Sequence, residues 1–190
     1  MKPAIAAAGL EEGVITETSK FYCSHIYRQF TDTTFKCLGS HGWIDVKNAL
    51  NQSCNIYFYE TGRLLGINRM NDYCTRFGLG QKTGVEINES SGVLAGIAYR
   101  EAHGGTWYPG DTVQAAIGQS DNLFTPIQLC SYVSTIANGG TRYRAHFVKS
   151  VKSSDYSETL LSNDGVVLNE TGVSQNSIRI VKEGMEMLGA

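Results

Sequence analysis

The chain has 190 residues, 42% of them hydrophobic and 18% charged, with a formal net charge of −2. That length buries a real core within one domain, and the composition is globular rather than disordered. The charge balance offers nothing to nucleic acid, no apolar run reaches membrane-spanning length, and the start is too short and too weakly apolar for a signal sequence.

Residues 3–10, rich in Ala, predict a buried helix that stops near Gly13. Residues 14–40 read as extended and turn-like, with Tyr22, Ile26 and Phe35 as anchors. Asp45 is placed to cap a short helix carrying Val46, Ala49 and Leu50. Asn55 is placed to cap a second, through Ile56, Phe58 and Tyr59 towards Gly62 and Gly66. Ser53 and Asn55 then sit at the junction with a hydroxyl and an amide free to face a cleft, although both are also ordinary capping residues. Met70, Tyr73, Cys74 and Phe77 recur at helical spacing and end at Gly78. The Gly-rich stretch 79–112 predicts a long loop over the cleft, pinned by Trp107 and Tyr108. Asp111 is expected to hold the Pro109-Gly110 turn, and Gln119 either lines the cleft or is structural.

Thr125-Pro126-Ile127-Gln128 is a capping box with Pro at the first helical position. Leu129, Cys130, Val133, Ile136 and Ala137 form the expected buried stripe, and Gly139-Gly140 stops the helix. Tyr143, Ala145 and Phe147 alternate with Arg142, Arg144 and His146, predicting a strand with one wet face. Residues 150–164 read as a polar surface loop, 166–168 as a short strand, and Ile178, Val181, Met185 and Leu188 as a final amphipathic helix.

The five cysteines have no metal-binding spacing. Cys74 and Cys130 fall on apolar helix faces. Cys23 and Cys37 flank a polar turn and are either bridged or free; geometry decides which. His25, His41, His103 and His146 are scattered, so no metal site is expected. Glu11, Glu12, Glu86, Glu89, Asp111 and Asp121 read as solvated or turn carboxylates.

Several motifs stand in one order: Ser53-Cys54-Asn55, Trp107-Tyr108-Pro109-Gly110-Asp111-Thr112, Ala116-Ile117-Gly118-Gln119, Thr125-Pro126-Ile127-Gln128-Leu129 and Ala137-Asn138-Gly139-Gly140. Together with His41-Gly42 to Phe58 and Phe77-Gly78-Leu79-Gly80, they resemble the transpeptidase domain of class B-type penicillin-binding proteins. The resemblance covers roughly residues 1–150. That family carries three catalytic motifs, S-x-x-K, S-x-N and K-T-G. Lys2 matches the lysine of the first, which places the nucleophilic serine two positions before Met1. Read without the resemblance, Lys2 is an ordinary solvated residue. Lys82-Thr83-Gly84 spells the third motif, and Val85, Glu86 and Ile87 alternate after it like a strand. It stands too early in the order, however, and is read as a coincidence in a loop. The true third motif is expected beyond Ala190.

The resemblance implies an α+β fold of the penicillin-binding protein and serine β-lactamase type, here a single partial domain over residues 1–190. In that fold an antiparallel sheet carries helices on its faces. It implies peptidoglycan D,D-transpeptidation through an acyl-serine, with stem peptides ending in D-Ala-D-Ala as substrate and β-lactams as acylating inhibitors. Lys2 would be the general base. Ser53 would relay a proton towards the leaving nitrogen, and Asn55 would hold the substrate amide and orient Lys2. No cofactor is implied. The parent would work with a cell-wall synthesis complex on the extracytoplasmic face of the cell membrane, anchored by a segment upstream, and this chain alone would be inactive. The alternative is a non-catalytic β-lactam sensor or cell-wall scaffold of the same fold.

Overall fold

The computed structural model describes residues 1–189. The elements in order are α1 (Lys2–Glu11), β1 (Phe21–Cys23), β2 (Ile26–Tyr27), β3 (Phe35–Lys36), β4 (Gly42–Ile44), α2 (Val46–Asn51), α3 (Asn55–Leu65) and α4 (Ile67–Arg76). They continue with α5 (Ile97–Ala102), α6 (Pro109–Ala116), α7 (Pro126–Ala137), β5 (Thr141–Tyr143), β6 (Ser150–Lys152), β7 (Thr159–Ser162), β8 (Val167–Glu170) and α8 (Gln175–Leu188).

The centre is helix on helix. α1 is the innermost element, with Ala4, Ile5, Ala6, Ala7 and Ala8 all essentially inaccessible. Small side chains let α2, α3, α4 and α8 close on it from several sides. Gly62 on α3 faces Ala116 of α6 so closely that an added Cβ would overlap the alanine methyl. Glu11 at the end of α1 accepts hydrogen bonds from Ser174 and Ser177 at the start of α8, at 2.6 and 2.5 Å. Tyr132 of α7 accepts from the Ala4 backbone N–H at 2.9 Å, a second partner for a first-turn donor that also reaches the Met1 carbonyl at 3.0 Å.

Among the described residues the strands form four two-stranded antiparallel ribbons, β1–β4, β2–β3, β5–β8 and β6–β7. Helices and short ribbons together make the incomplete α+β fold that the resemblance implied. β6 and β7 form an exposed hairpin in the stretch expected to be a loop.

Sequence signals and structure part company at five places. Asn55 is the first helical residue of α3 rather than its cap, and Cys54 takes the cap position. The Gly-rich stretch holds two helices, since Pro109 starts α6 and Asp111 accepts from the Tyr108 N–H at 2.9 Å in a capping box. The inner face of α7 is Gln128, Tyr132, Thr135 and Ile136, whereas Leu129, Cys130, Val133 and Ala137 are exposed. Gln128 is drawn inward because its amide donates to the carbonyls of Gln81 and Ser91, at 2.6 and 2.7 Å. β5 turns its arginine inward: Arg142 donates to Gln81 Oε1 and the Lys82 carbonyl, at 2.6 and 2.7 Å, while Tyr143 and Phe147 face out. Tyr22 is likewise exposed and packs its ring on Trp43 rather than on the core.

Candidate active site

Two helix starts meet at the site. α1 presents Lys2 from its first turn, and the α2–α3 junction presents Ser53 and Asn55. Asp45 caps α2 by accepting from the Asn48 N–H at 3.0 Å, so that helix begins where the sequence places it. It lasts until Gln52, where the chain must reverse into α3. Ser53 makes that reversal in a left-handed conformation, φ 51°, which is uncommon for a residue other than glycine and aims its hydroxyl towards α1.

The Lys2 ammonium has three donors and spends all of them here. It donates to the Ser53 carbonyl at 2.7 Å, to Ser53 Oγ at 2.8 Å and to Asn55 Oδ1 at 2.7 Å. It also lies 5.8 Å from the centre of the Phe58 ring one turn along α3. Burial pushes its pKa below the ordinary lysine value, against the nearby Cys37 and Cys54 sulfurs, which act to raise it. A half-buried lysine whose neutral form is favoured in this way, with a hydroxyl in hydrogen-bond reach, is the arrangement acyl-transfer chemistry needs for moving a proton.

Asn55 is fixed from three sides. Its Oδ1 accepts from Lys2, its Nδ2 donates to the Lys36 carbonyl at 3.3 Å, and its backbone N–H donates to Cys37 Sγ at 3.2 Å. The structure thus brings Lys2 to Ser53 and Asn55, which lie 51 and 53 residues further along the chain. Lys36 and Cys37 were missed as their supports, and since the contacts run through a backbone carbonyl and a thiol, no side-chain motif announces them.

Lys82 lies elsewhere, exposed beside Thr75, Arg76, Gln81 and Arg142. Thr83 is buried, and its N–H and hydroxyl both donate to Glu89, at 2.9 and 2.8 Å. Glu89 also accepts from the Gly84 N–H at 2.7 Å, and no strand follows. The Lys82-Thr83-Gly84 tripeptide is therefore a carboxylate-closed turn. Asp111 and Asp121 are not free carboxylates either. Arg100 joins them, at 3.1 and 2.6 Å, and so ties α5 to the start of α6 and to the turn after it. Trp107 donates to Thr112 Oγ1 at 3.0 Å inside the same segment. Gln119 is exposed.

Cys23 and Cys37 are unbridged. The fold nonetheless gathers Cys23, Cys37, His41 and Cys54, so that their sulfur and nitrogen atoms all lie within 4.8 Å of one another, against the expectation from their spacing.

A lysine hydrogen-bonded to both the serine and the asparagine of an S-x-N sequence at a helix junction is the arrangement that the resemblance to penicillin-binding proteins implied. The profile of the Penicillin binding protein transpeptidase domain family matches residues 1–188, and the chain belongs to that family, on its class B branch. It is similar to the peptidoglycan D,D-transpeptidase MrdA of Salmonella typhimurium, at 31% identity over 80% of this chain and 25% of the relative. The crystal structure of Pseudomonas aeruginosa PBP2 in complex with WCK 5153 superposes with a TM-score of 0.84 at 30% identity, over 97% of this chain and 42% of that one. The Helicobacter pylori PBP2 in a complex with MreC superposes at 0.81 with 25% identity, over 98% of this chain and 33% of that one. The chain spans about a quarter of the length of the Salmonella relative.

Proposed function

We propose that the complete protein containing this chain is a peptidoglycan D,D-transpeptidase working through an acyl-serine. The observation that carries this reading is the Lys2 ammonium held on Ser53 Oγ and Asn55 Oδ1 at 2.8 and 2.7 Å. In the reaction, a serine one helical turn before Lys2 attacks the carbonyl between the last two D-alanines of a stem peptide. Neutral Lys2 takes the hydroxyl proton, and the Ser53 hydroxyl passes a proton to the departing D-Ala nitrogen. The Asn55 amide holds the substrate amide and keeps Lys2 in place. The amine of a second stem peptide then takes the acyl group and frees the serine. A β-lactam enters by the same attack and remains attached as the acyl-enzyme. The serine stands two positions before Met1 in the complete protein, and a K-T-G or K-S-G follows Ala190 within a few dozen residues.

The relatives' names support cell-wall synthesis as the setting, and the Helicobacter neighbour, solved with MreC, supports a multiprotein assembly as its context. The complete protein is proposed to act at the extracytoplasmic face of the membrane; no helix among the described residues is long and apolar enough to cross one. The test is acylation of the complete protein by a labelled penicillin, followed by peptide mapping. The label is expected on the serine before Lys2, with Asn55→Ala slowing acylation at least tenfold, more than about 1.4 kcal/mol of barrier. No acylation at all would leave the non-catalytic scaffold reading, and acylation that Asn55→Ala does not slow would remove Asn55 from the site.

A further inference from the structure

We propose that the groove between the end of α4, the Gln81-Lys82 turn and β8 binds a phosphate group carried on a larger molecule, with Arg142 and Arg76 as its charged partners. The groove measures about 720 Å3, a volume typical of small-molecule sites, and Leu168 gives it an apolar wall. None of Lys2, Ser53 and Asn55 lines it, so the proposal does not rest on the transpeptidase reading.

Arg142 carries the assignment. β5 turns it inward until only 4% of it is exposed. Gly78 makes room for it, since an added Cβ there would stand 2.5 Å from Arg142 Nε. The guanidinium donates to Gln81 Oε1 at 2.6 Å, to the Lys82 carbonyl at 2.7 Å and to Asn169 Oδ1 at 3.5 Å. All three acceptors are neutral, and the buried Nε has no acceptor. Among the described residues no carboxylate forms an ion pair with it. Burial holds its pKa below the ordinary arginine value; Glu89 acts to raise it from a distance, but its oxygens are taken up by Thr83 and Gly84. A buried charge is ordinarily paired, because little else recovers its lost hydration. Tethering β5 to three neutral oxygens requires donors but no charge. An orphaned buried donor on an unpaired cation at the wall of a groove is the mark of an anion that binds there.

The rest of the lining agrees. Arg76 pairs only with Asp72 one turn earlier on α4, an exposed pair of little strength that leaves it able to turn to a better anion. Lys82 adds a third positive charge, against the single carboxylate of Glu170, which accepts from Thr141 Oγ1 at 2.9 Å. Several cations around one groove suit an ion with more than one charged oxygen, and the guanidinium fork matches phosphate geometry. The spacing of the walls is held in advance, because Asn169 Nδ2 on β8 donates to the Arg76 carbonyl at 2.9 Å. The Lys82-Thr83-Gly84 turn thereby has a use of its own: its first carbonyl seats Arg142.

The experiment uses the complete protein in phosphate-free buffer. Inorganic phosphate and glycerol 3-phosphate are titrated by calorimetry at constant ionic strength, and vesicles of phosphatidylcholine and phosphatidylglycerol in equal parts are tested by flotation. Glycerol 3-phosphate is expected to bind saturably, one per chain and more tightly than inorganic phosphate, and to raise the thermal unfolding midpoint, which chloride does not. Arg142→Gln keeps an amide for Gln81 and Lys82 but removes the charge, and should weaken binding about tenfold or more. Should that variant fail to fold by circular dichroism, the exposed Arg76→Gln carries the same test and should weaken binding about threefold. Arg179→Gln on α8 should bind as the wild type does. Vesicle flotation that glycerol 3-phosphate competes away assigns the site to a lipid headgroup; tight binding of the ester without flotation assigns it to a soluble phosphate. No saturable binding of any probe overturns the site, as does binding that the folded arginine variants retain at full strength. Inorganic phosphate bound as tightly as the ester overturns the larger ligand.

Discussion

At the scale of single residues, the site rests on a charge balance that one isosteric change can tilt. Burial holds the Lys2 pKa below its ordinary value, and Asn55 satisfies it with a neutral oxygen. Asn55→Asp keeps the shape and places a carboxylate against the ammonium. That stabilises the charged form, so the Lys2 pKa rises and its neutral form appears at higher pH. The acylation rate of the complete protein should increase with pH through a lysine-type titration, and in Asn55→Asp that limb should move to higher pH. A limb that stays in place would mean Lys2 is not the group that titrates. Lys82→Ala, by contrast, should leave acylation within about threefold, or under roughly 0.7 kcal/mol. Its ammonium is exposed, and the turn is closed by Glu89 through Thr83 and Gly84. A loss as large as that of Asn55→Ala would restore the tripeptide as a catalytic motif. Ser53 and Asn55 were legible because polar residues at a helix junction must spend their side chains somewhere. That Asn55 spends its amide on Lys2 and Lys36, and not on capping, depends on α1 and the strand segment arriving there, which local spacing does not encode.

At the scale of elements, helices with a capping side chain at the start or a glycine soon after the end were readable from the chain alone. α2 behind Asp45, α4 before Gly78 and α7 behind Thr125 all stand where those signals put them. α6 was lost in glycine-rich sequence although Pro109 and Asp111 are first-turn residues. Faces were harder than spans. Apolar periodicity on α7 selects Leu129 and Val133, yet the buried side chains include Gln128 and Thr135, whose polar atoms find the carbonyls of Gln81, Ser91 and Ser131. A buried polar residue is invisible to a hydrophobic pattern until its partner is known. Close packing is legible in neither way, and Gly62 shows it. By helix propensity alone, Gly62→Ala should stabilise the protein by about 1 kcal/mol. Here the new methyl would overlap Ala116, so the expected outcome is destabilisation on the order of 1–3 kcal/mol in chemical denaturation of the complete protein. Adding Ala116→Gly should recover part of that loss. A stabilised Gly62→Ala, or strict additivity of the pair, would show that α3 and α6 are not in contact there.

At the scale of the molecule, the chain gathers Lys2, Ser53 and Asn55 on its helical side, and its apolar residues are not all inside. Leu129 and Val133 on α7, and Leu160, Leu161, Val167 and Leu168 on the β6–β7 and β5–β8 ribbons, face outward. The residues the chain contains can move a proton and hold an amide, but neither Lys2 nor Asn55 is the acyl acceptor of the proposed reaction. Among the described residues, Ser53 is the one hydroxyl hydrogen-bonded to Lys2, and its proposed role as relay rather than nucleophile is open to direct test. The chain alone, shown to be folded by its near-ultraviolet circular dichroism, should give no label with fluorescent penicillin on a denaturing gel and no added mass. The complete protein under the same conditions should be labelled at one serine per chain, before Lys2. A stoichiometric adduct on the isolated chain that survives denaturation and maps to Ser53 would reverse the roles: Ser53 would be the nucleophile, and its left-handed backbone and short contact with Lys2 would be the means of its activation.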